Sequence, residues 1–491
     1  MKKILSLVLA LIFVCLALVG CKKENEVPQD TSVVSDTVST DSEFAYDPVL
    51  DTLNFEGMEI NFLVSDFEDA ERKEFFGEES SDSVVSAIYR RNNSIEQKFN
   101  VKLLFTETFG ADILQDVRNL YNTNDATVDI IGAYEYYGMG LAAEGMFSNL
   151  HEIEYLNPQS PWWNQSWNET CEYSGALFAV AGDINTSIIT KTQVTFVNNN
   201  LLKDSYPTDT PDLYAVVRDN KWTIEYIKEL SKNVYIDNGL EANTRDLLDR
   251  YGLVVGSISQ PSQALLAACG YQWSVMGADN KRILTLDTER NLDIFERIRS
   301  LFDETKEGIF VAKDLPGVYY YATIFAKNNS IFSMAPMFTA ERLAATDIDY
   351  SILPIPKYDE AQENYYSSTQ DSHTFCAVFT MSDAKSAVGA VLEYMGYLSK
   401  KDVVPGYFET FYKAKYASNP ETMQMFDSIV ESIHFDFIVN WSRAINDILK
   451  KVRAIGYDPL KEPVSEIASF QDSCQKYLDS TYDLIEAIYG Q

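Results

Sequence analysis

The strongest constraint on the fold is an alternation of two hydrophobic periods between residues 58 and 131. Met58-Glu59-Ile60-Asn61-Phe62-Leu63-Val64 has the two-residue period of a strand and ends at Ser65-Asp66. From Ser83, Val84, Ile88, Ile95 and Phe99 fall on one face of a 3.6-residue helix. Val101 to Phe105 reads as a second strand, and Ile113, Val117 and Leu120 as a second helix. Val128-Asp129-Ile130-Ile131 reads as a third strand. Strand–helix–strand–helix–strand in so short a span predicts crossover units and a mostly parallel sheet, the α/β class. Ligands of such sheets gather at the carboxyl ends of strands, here Ser65-Asp66 and the run Gly132 to Tyr137.

Later segments continue the pattern. Val194 to Val197, Ser330 to Met334 and Tyr350 to Leu353 read as strands, and Trp222-Thr223 opens a helix. Residues 288–302 read as another helix. The last third is helical over 383–399, 421–434, 440–455 and 464–489, with Pro463 suited to a helix start. With 491 residues, 46% of them hydrophobic, the chain can form two or three lobes.

Charge and composition exclude several functions. A net charge of −33, from 73 acids against 40 bases, gives no positive footprint for nucleic acid or for anionic lipid. Eight of the acids fall between Asp66 and Asp82, which reads as a solvated face. The acidity favours a neutral or cationic ligand over an anionic one. Three His and scattered Cys predict no metal centre. Cys171, Cys269, Cys376 and Cys474 lie about a hundred residues apart and read as buried free thiols. No nucleotide, zinc-protease or serine-hydrolase motif occurs, so neither a cofactor nor an enzymatic activity is expected. Asp371-Ser372-His373 has the letters of a triad, but neighbours on an extended chain face opposite ways. A glycosidase needs only two carboxylates, and a lipid-anchored one is the enzymatic alternative.

The N-terminus reads as an export signal. Met1-Lys2-Lys3 precedes an uncharged run from Ile4 to Gly20, short for a bilayer span. Leu18-Val19-Gly20-Cys21 resembles the bacterial lipobox. That resemblance implies diacylation of Cys21 and a lipid-anchored protein outside the cell membrane. Residues 22–48, rich in acids, Ser and Thr, read as a flexible tether.

Several blocks resemble the family 1 extracellular solute-binding proteins of bacterial ABC importers. They are Asp129-Ile130-Ile131 with Ala143 to Leu150, Tyr173 to Val180, Val197 to Asp204, Lys221-Trp222-Thr223 and Tyr350 to Pro354. Ala176, Ala181 and Val197 depart from the habitual pattern. The resemblance implies a two-lobe periplasmic-binding-protein-like fold with crossing strands near 183–194, 328–334 and 373–380. Lobe 1 would comprise 49–187 plus 331–376, and lobe 2 188–330 plus 377–491. It further implies a monomer that closes by a hinge over a small-molecule ligand and then docks on ABC permease subunits.

A neutral oligosaccharide is the expected ligand, because sugars offer flat apolar faces ringed by hydroxyls. Candidate contacts at strand ends are Asp66, Tyr134, Glu135 and Tyr136. Trp162 and Trp163 lie in a Trp-rich segment, and Asp183 and Asn185 lie at a crossing. Met337 and Phe338 follow a strand, and Asp371 precedes one. Trp273 and Trp441 are candidate platforms; lobe core is the rival reading for each Trp. A peptide or another solute is the alternative cargo.

Overall fold

The computed structural model describes residues 44–66, 74–239, 246–256, 259–302, 309–311, 319–407 and 420–490. The expected export signal, Cys21, most of the tether and part of the acidic run lie outside them; the tether's described end, residues 44–48, is not a free leash, because Phe44 packs on Tyr397 and Tyr46 on Tyr394 and Tyr397.

Two sheets organise the molecule. In the first, β1 (Met58–Asp66), β2 (Val101–Phe109) and β3 (Ile130–Tyr134) are parallel, and β9 (Thr374–Val378) joins antiparallel, in the order β9-β3-β1-β2. β1 and β2 pair over nine residues, from Met58 with Val101 to Asp66 with Phe109. Helix α1 (Ser83–Phe99) supplies their crossover. Asp82 caps it by accepting from the amides of Val84 and Val85 at 3.0 and 3.1 Å. Asn100 ends it in the left-handed region at φ 50°. Helix α2 (Ile113–Thr123) follows β2. Every residue of β3 and β9 is buried, as expected where both faces of a sheet are covered.

The second sheet contains β4 (Gln193–Asn198), β5 (Tyr251–Val255), β6 (Ile309–Val311), β7 (Ser330–Pro336) and β8 (Tyr350–Leu353), in the order β6-β5-β7-β4-β8. Helices α3 (Ser259–Ala268), α4 (Glu289–Leu301) and α6 (Ile448–Tyr457) pack together in this half. Helix α5 (Lys385–Leu398) returns to the first half and packs on α1. The final helix, α7 (Pro463–Tyr489), touches both halves. Tyr489 donates to the Phe147 carbonyl at 2.6 Å, and Lys281 bridges to Asp483 at 3.1 Å.

The expected lobe boundaries are corrected by the strand pairing. Residues 331–376 were assigned to lobe 1, yet β7 and β8 both pair antiparallel with β4 in the second sheet. The chain returns to the first sheet only between Leu353 and Thr374. The start of 377–491 likewise belongs with the first half, through β9 and α5. Ser330 to Met334 thus belong to β7, an inner strand of the second sheet, and do not cross. The helix expected over 440–455 begins at Ile448, because Asn446 and Asp447 both adopt positive φ and break it. Cys171, Cys269, Cys376 and Cys474 are buried free thiols. Among the described residues no helix is long and apolar enough to cross a membrane.

Candidate functional site

The carboxyl ends of β1, β2 and β3 open into a cavity of about 300 Å³ between the two halves. Val64 and Ser65 come from β1, Glu107 from β2 and Tyr134 from β3. The segment crossing toward β4 contributes Thr186, Ser187, Thr190 and Lys191, and the exit of β7 contributes Phe338, Glu341 and Arg342. Phe75, Phe76 and Tyr407 add apolar wall.

The polar groups here are well anchored. The Lys191 ammonium stands 4.8 Å from the Tyr134 ring centre and donates to the Ser372 carbonyl at 2.8 Å. Glu74 accepts from the Ser187 amide at 3.0 Å and the Thr374 hydroxyl at 3.2 Å. Burial raises its carboxyl pKa, with the Ser187 hydrogen bond and Lys191 opposing. Arg342 lies 3.4 Å from the centre of the Tyr319 ring, which meets Phe338 edge-on.

A second cavity, of about 430 Å³, shares no lining residue with the first. Tyr134 and Thr374 line the first cavity, while their neighbours Glu135 and His373 line the second. Successive residues of an extended chain point oppositely, so the crossing strands separate the two spaces. Gln263 and Ala267 of α3, Tyr271, Trp273, Tyr366, Ser368, Thr369, Phe435 and Asn440 complete much of the second wall. His373 Nδ1 sits 2.9 Å from the Gln370 carbonyl and must donate to it. Nε2 is therefore the acceptor. Burial holds this imidazole at a pKa of about 4. Burial, then Asp371, drives the Glu135 carboxyl well above its usual range. Asp371 is itself matched to Arg453 at 2.8 Å.

Two long backbone excursions between sheets, with a ligand-sized space at the strand ends, decide the architecture. This is the two-lobed periplasmic-binding-protein fold. The GacH receptor of Streptomyces glaucescens, solved with acarbose, superimposes with a TM-score of 0.56 at 13% identity, covering 86% of this chain and 99% of that one. A cyclic α-maltosyl-1,6-maltose binding protein from Arthrobacter globiformis gives 0.55 at 11% identity, covering 88% and 99%. An ABC substrate-binding protein from Listeria monocytogenes, in complex with cycloalternan, gives 0.53 at 12% identity over 88% and 99%. No protein-family model matches the sequence, and no curated protein does. At these identities the likeness establishes the fold.

Within the two-lobed fold, the expected contacts divide. Tyr134 and Phe338 line the first cavity; Glu135 and Trp273 line the second. Asp66 closes β1, and its side chain lies outside the described set. The others line neither cavity. Trp162 is buried against Tyr397 of α5, and Trp163 donates to Glu393 at 3.2 Å. Trp441 stacks on Phe437 and donates to the Thr170 carbonyl at 2.8 Å, so core packing holds all three. Met337 is fully buried. Asn185 ties the Gly182 amide to the Thr374 hydroxyl, and Asp183 pairs with Lys400 at 3.5 Å. Burial raises Asp183 to about 6 against that pull. Tyr136 donates to Asp447 at 2.6 Å, and Asp371 is engaged by Arg453 and Gln260.

Sequence reasoning missed Glu107, Lys191 and Arg342 in the first cavity, and Thr369, His373 and Asn440 in the second. Glu107 had a usable signal. β2 runs to Phe109, beyond the Phe105 expected, and the strand-end rule applied there points to it.

Proposed function

We propose that this protein captures an uncharged oligosaccharide between its lobes and delivers it to an ABC importer. The carrying observation is the first cavity. Aromatic faces from both lobes, Tyr134 and Phe338, stand among the carboxylates and cations of Glu107, Glu341, Lys191 and Arg342. Rings suit the apolar faces of pyranoses, and charged groups hydrogen-bond their hydroxyls strongly. Its volume is at the lower end of the roughly 300–1,000 Å³ of small-molecule sites, and hinge opening would admit a longer chain. The reading is supported by the saccharide ligands named for several proteins of like fold. Those proteins are binders, and we infer that the captured glycan leaves unchanged.

We further infer from the lipobox-like Leu18 to Cys21 that the protein is acylated at Cys21, is held at the outer face of the cell membrane through the segment ahead of Phe44, and acts as a monomer. Calorimetric titration of the protein against a panel of neutral glycans should reveal a saturable ligand, recovered intact afterwards. Binding of peptides alone, or of nothing in the panel, would defeat the sugar assignment. Palmitate labelling should disappear in Cys21→Ser; persistent labelling would refute the anchor.

A further inference from the structure

Near its end the chain passes between the halves again, at residues 442–447. Ahead of this turn, the short helix Phe437–Asn440 and Trp441 are fastened to the first half. The Trp441 indole, donating to the Thr170 carbonyl, also meets Phe178 edge-on at 5.8 Å. After the turn, α6 packs on α3 and α4 of the second half. The turn ends in Asn446 and Asp447, both at positive φ, 58° and 54°. Asn and Asp visit this region singly; two in succession need surroundings that hold them there.

The group that holds Asp447 comes from the first half. Tyr136, two residues past the end of β3, donates to its carboxylate at 2.6 Å. Burial, then this bond, raises the phenol to about 12, so the hydroxyl stays a donor. Arg443 reaches both groups, 3.0 Å from the Tyr136 hydroxyl and 3.4 Å from Asp447. The Lys450 ammonium stands 4.2 Å from the centre of the Tyr136 ring. Arg453, three residues further along α6, pairs with Asp371, whose carbonyl accepts the Tyr136 amide at 3.0 Å. One side of α6 thus grips two neighbouring strands of the first half. Tyr136, Arg443, Asp447 and Lys450 line neither cavity. We propose that residues 442–447 form a hinge, and that Tyr136 and Asp447, flanked by Arg443 and Lys450, form a clasp that holds the lobes in the arrangement seen here. Released from Tyr136, the turn loses what keeps its two left-handed residues in place, and α6 is free to carry the second lobe away. The inference concerns lobe position alone and stands whatever cargo the first cavity takes.

The test measures the distance between the lobes by electron–electron double resonance. Spin labels go on Asn119→Cys in α2 and Glu229→Cys in the helix Ile224–Ser231, both exposed positions. The full-length chain carries Cys15→Ser and Cys21→Ser; its other four thiols are buried. With the clasp intact one distance should dominate. Tyr136→Phe keeps the ring and removes the hydroxyl. It should raise a second distance about tenfold in population, as one hydrogen bond to a charged group is lost. Asp447→Gly removes the acceptor in a residue suited to positive φ, and should do the same. It decides alone if Tyr136→Phe fails to fold. Asp447→Asn keeps an acceptor oxygen and should return most molecules to the first distance. An unchanged single distance in either Tyr136→Phe or Asp447→Gly would overturn the proposal, even if the unfolding midpoint falls. So would a second distance equally populated in Asp447→Asn.

Discussion

At the residue scale, packing explains which aromatic residues reach a cavity and which do not. Trp162 is held by two glycines whose missing side chains make its seat. A Cβ on Gly396 would lie 2.2 Å from its ring, and one on Gly182 would lie 2.0 Å from its carbonyl oxygen. Backbone cannot yield as a flexible side chain does, so Gly182→Ala should destabilise by about 3 kcal/mol in urea unfolding. A loss below about 1 kcal/mol would show that the chain relaxes there. His373 carries a pH signature. Its folded pKa of about 4 lies below the 6.5 of the free group, so the unfolded chain binds the extra proton between these values. The stability advantage of neutral His373 is therefore full above pH 6.5 and is lost as pH falls toward 4. Comparing wild type with His373→Gln, the difference in unfolding free energy should shrink by about 3 kcal/mol over that window. A difference that does not change with pH would contradict the buried, neutral assignment. Residue identity in the sequence could mark Tyr134, Phe338 and Trp273 as aromatic and near strand ends. It could not separate them from Trp162 or Trp441, because burial in a core and burial in a cavity wall use the same ring.

Elements were legible where their periodicity was local. β1, α1, the helix opening at Thr223 and α7 all follow their hydrophobic stripes, and Thr288 caps α4 where the pattern starts. β5 and α3 went unread because both are buried nearly throughout, so neither shows an alternation or a one-sided stripe. Capping should be measurable at α1. Asp82→Ala removes the acceptor for two amides and should cost about 1 kcal/mol, read as a lower unfolding midpoint. An unchanged midpoint would mean that tertiary contacts alone hold the first turn. α7 acts on a larger scale than its own packing. Tyr173 donates to Glu486 at 2.6 Å on the first half, and Gln475 donates to the Arg282 carbonyl at 3.1 Å on the second.

At the scale of the whole molecule, the class and the two-lobed plan were readable from alternating elements and from the resemblance. The lobe boundaries were not. Sheet membership depends on long-range pairing, and nothing local in Ser330–Pro336 says that it lies between β5 and β4. The crossings that do occur, before β4 and between β8 and β9, bring both lobes to one cavity at the strand ends. On the proposed reading, the acid-rich chain would meet an uncharged sugar through the rings and charged groups of this cavity. The central claim is tested most directly by a crystal structure of the protein grown with the tightest-binding neutral glycan. The account predicts a sugar ring between the lobes, in contact with Tyr134 and Phe338. Glycan bound only on an outer surface of one lobe would contradict it.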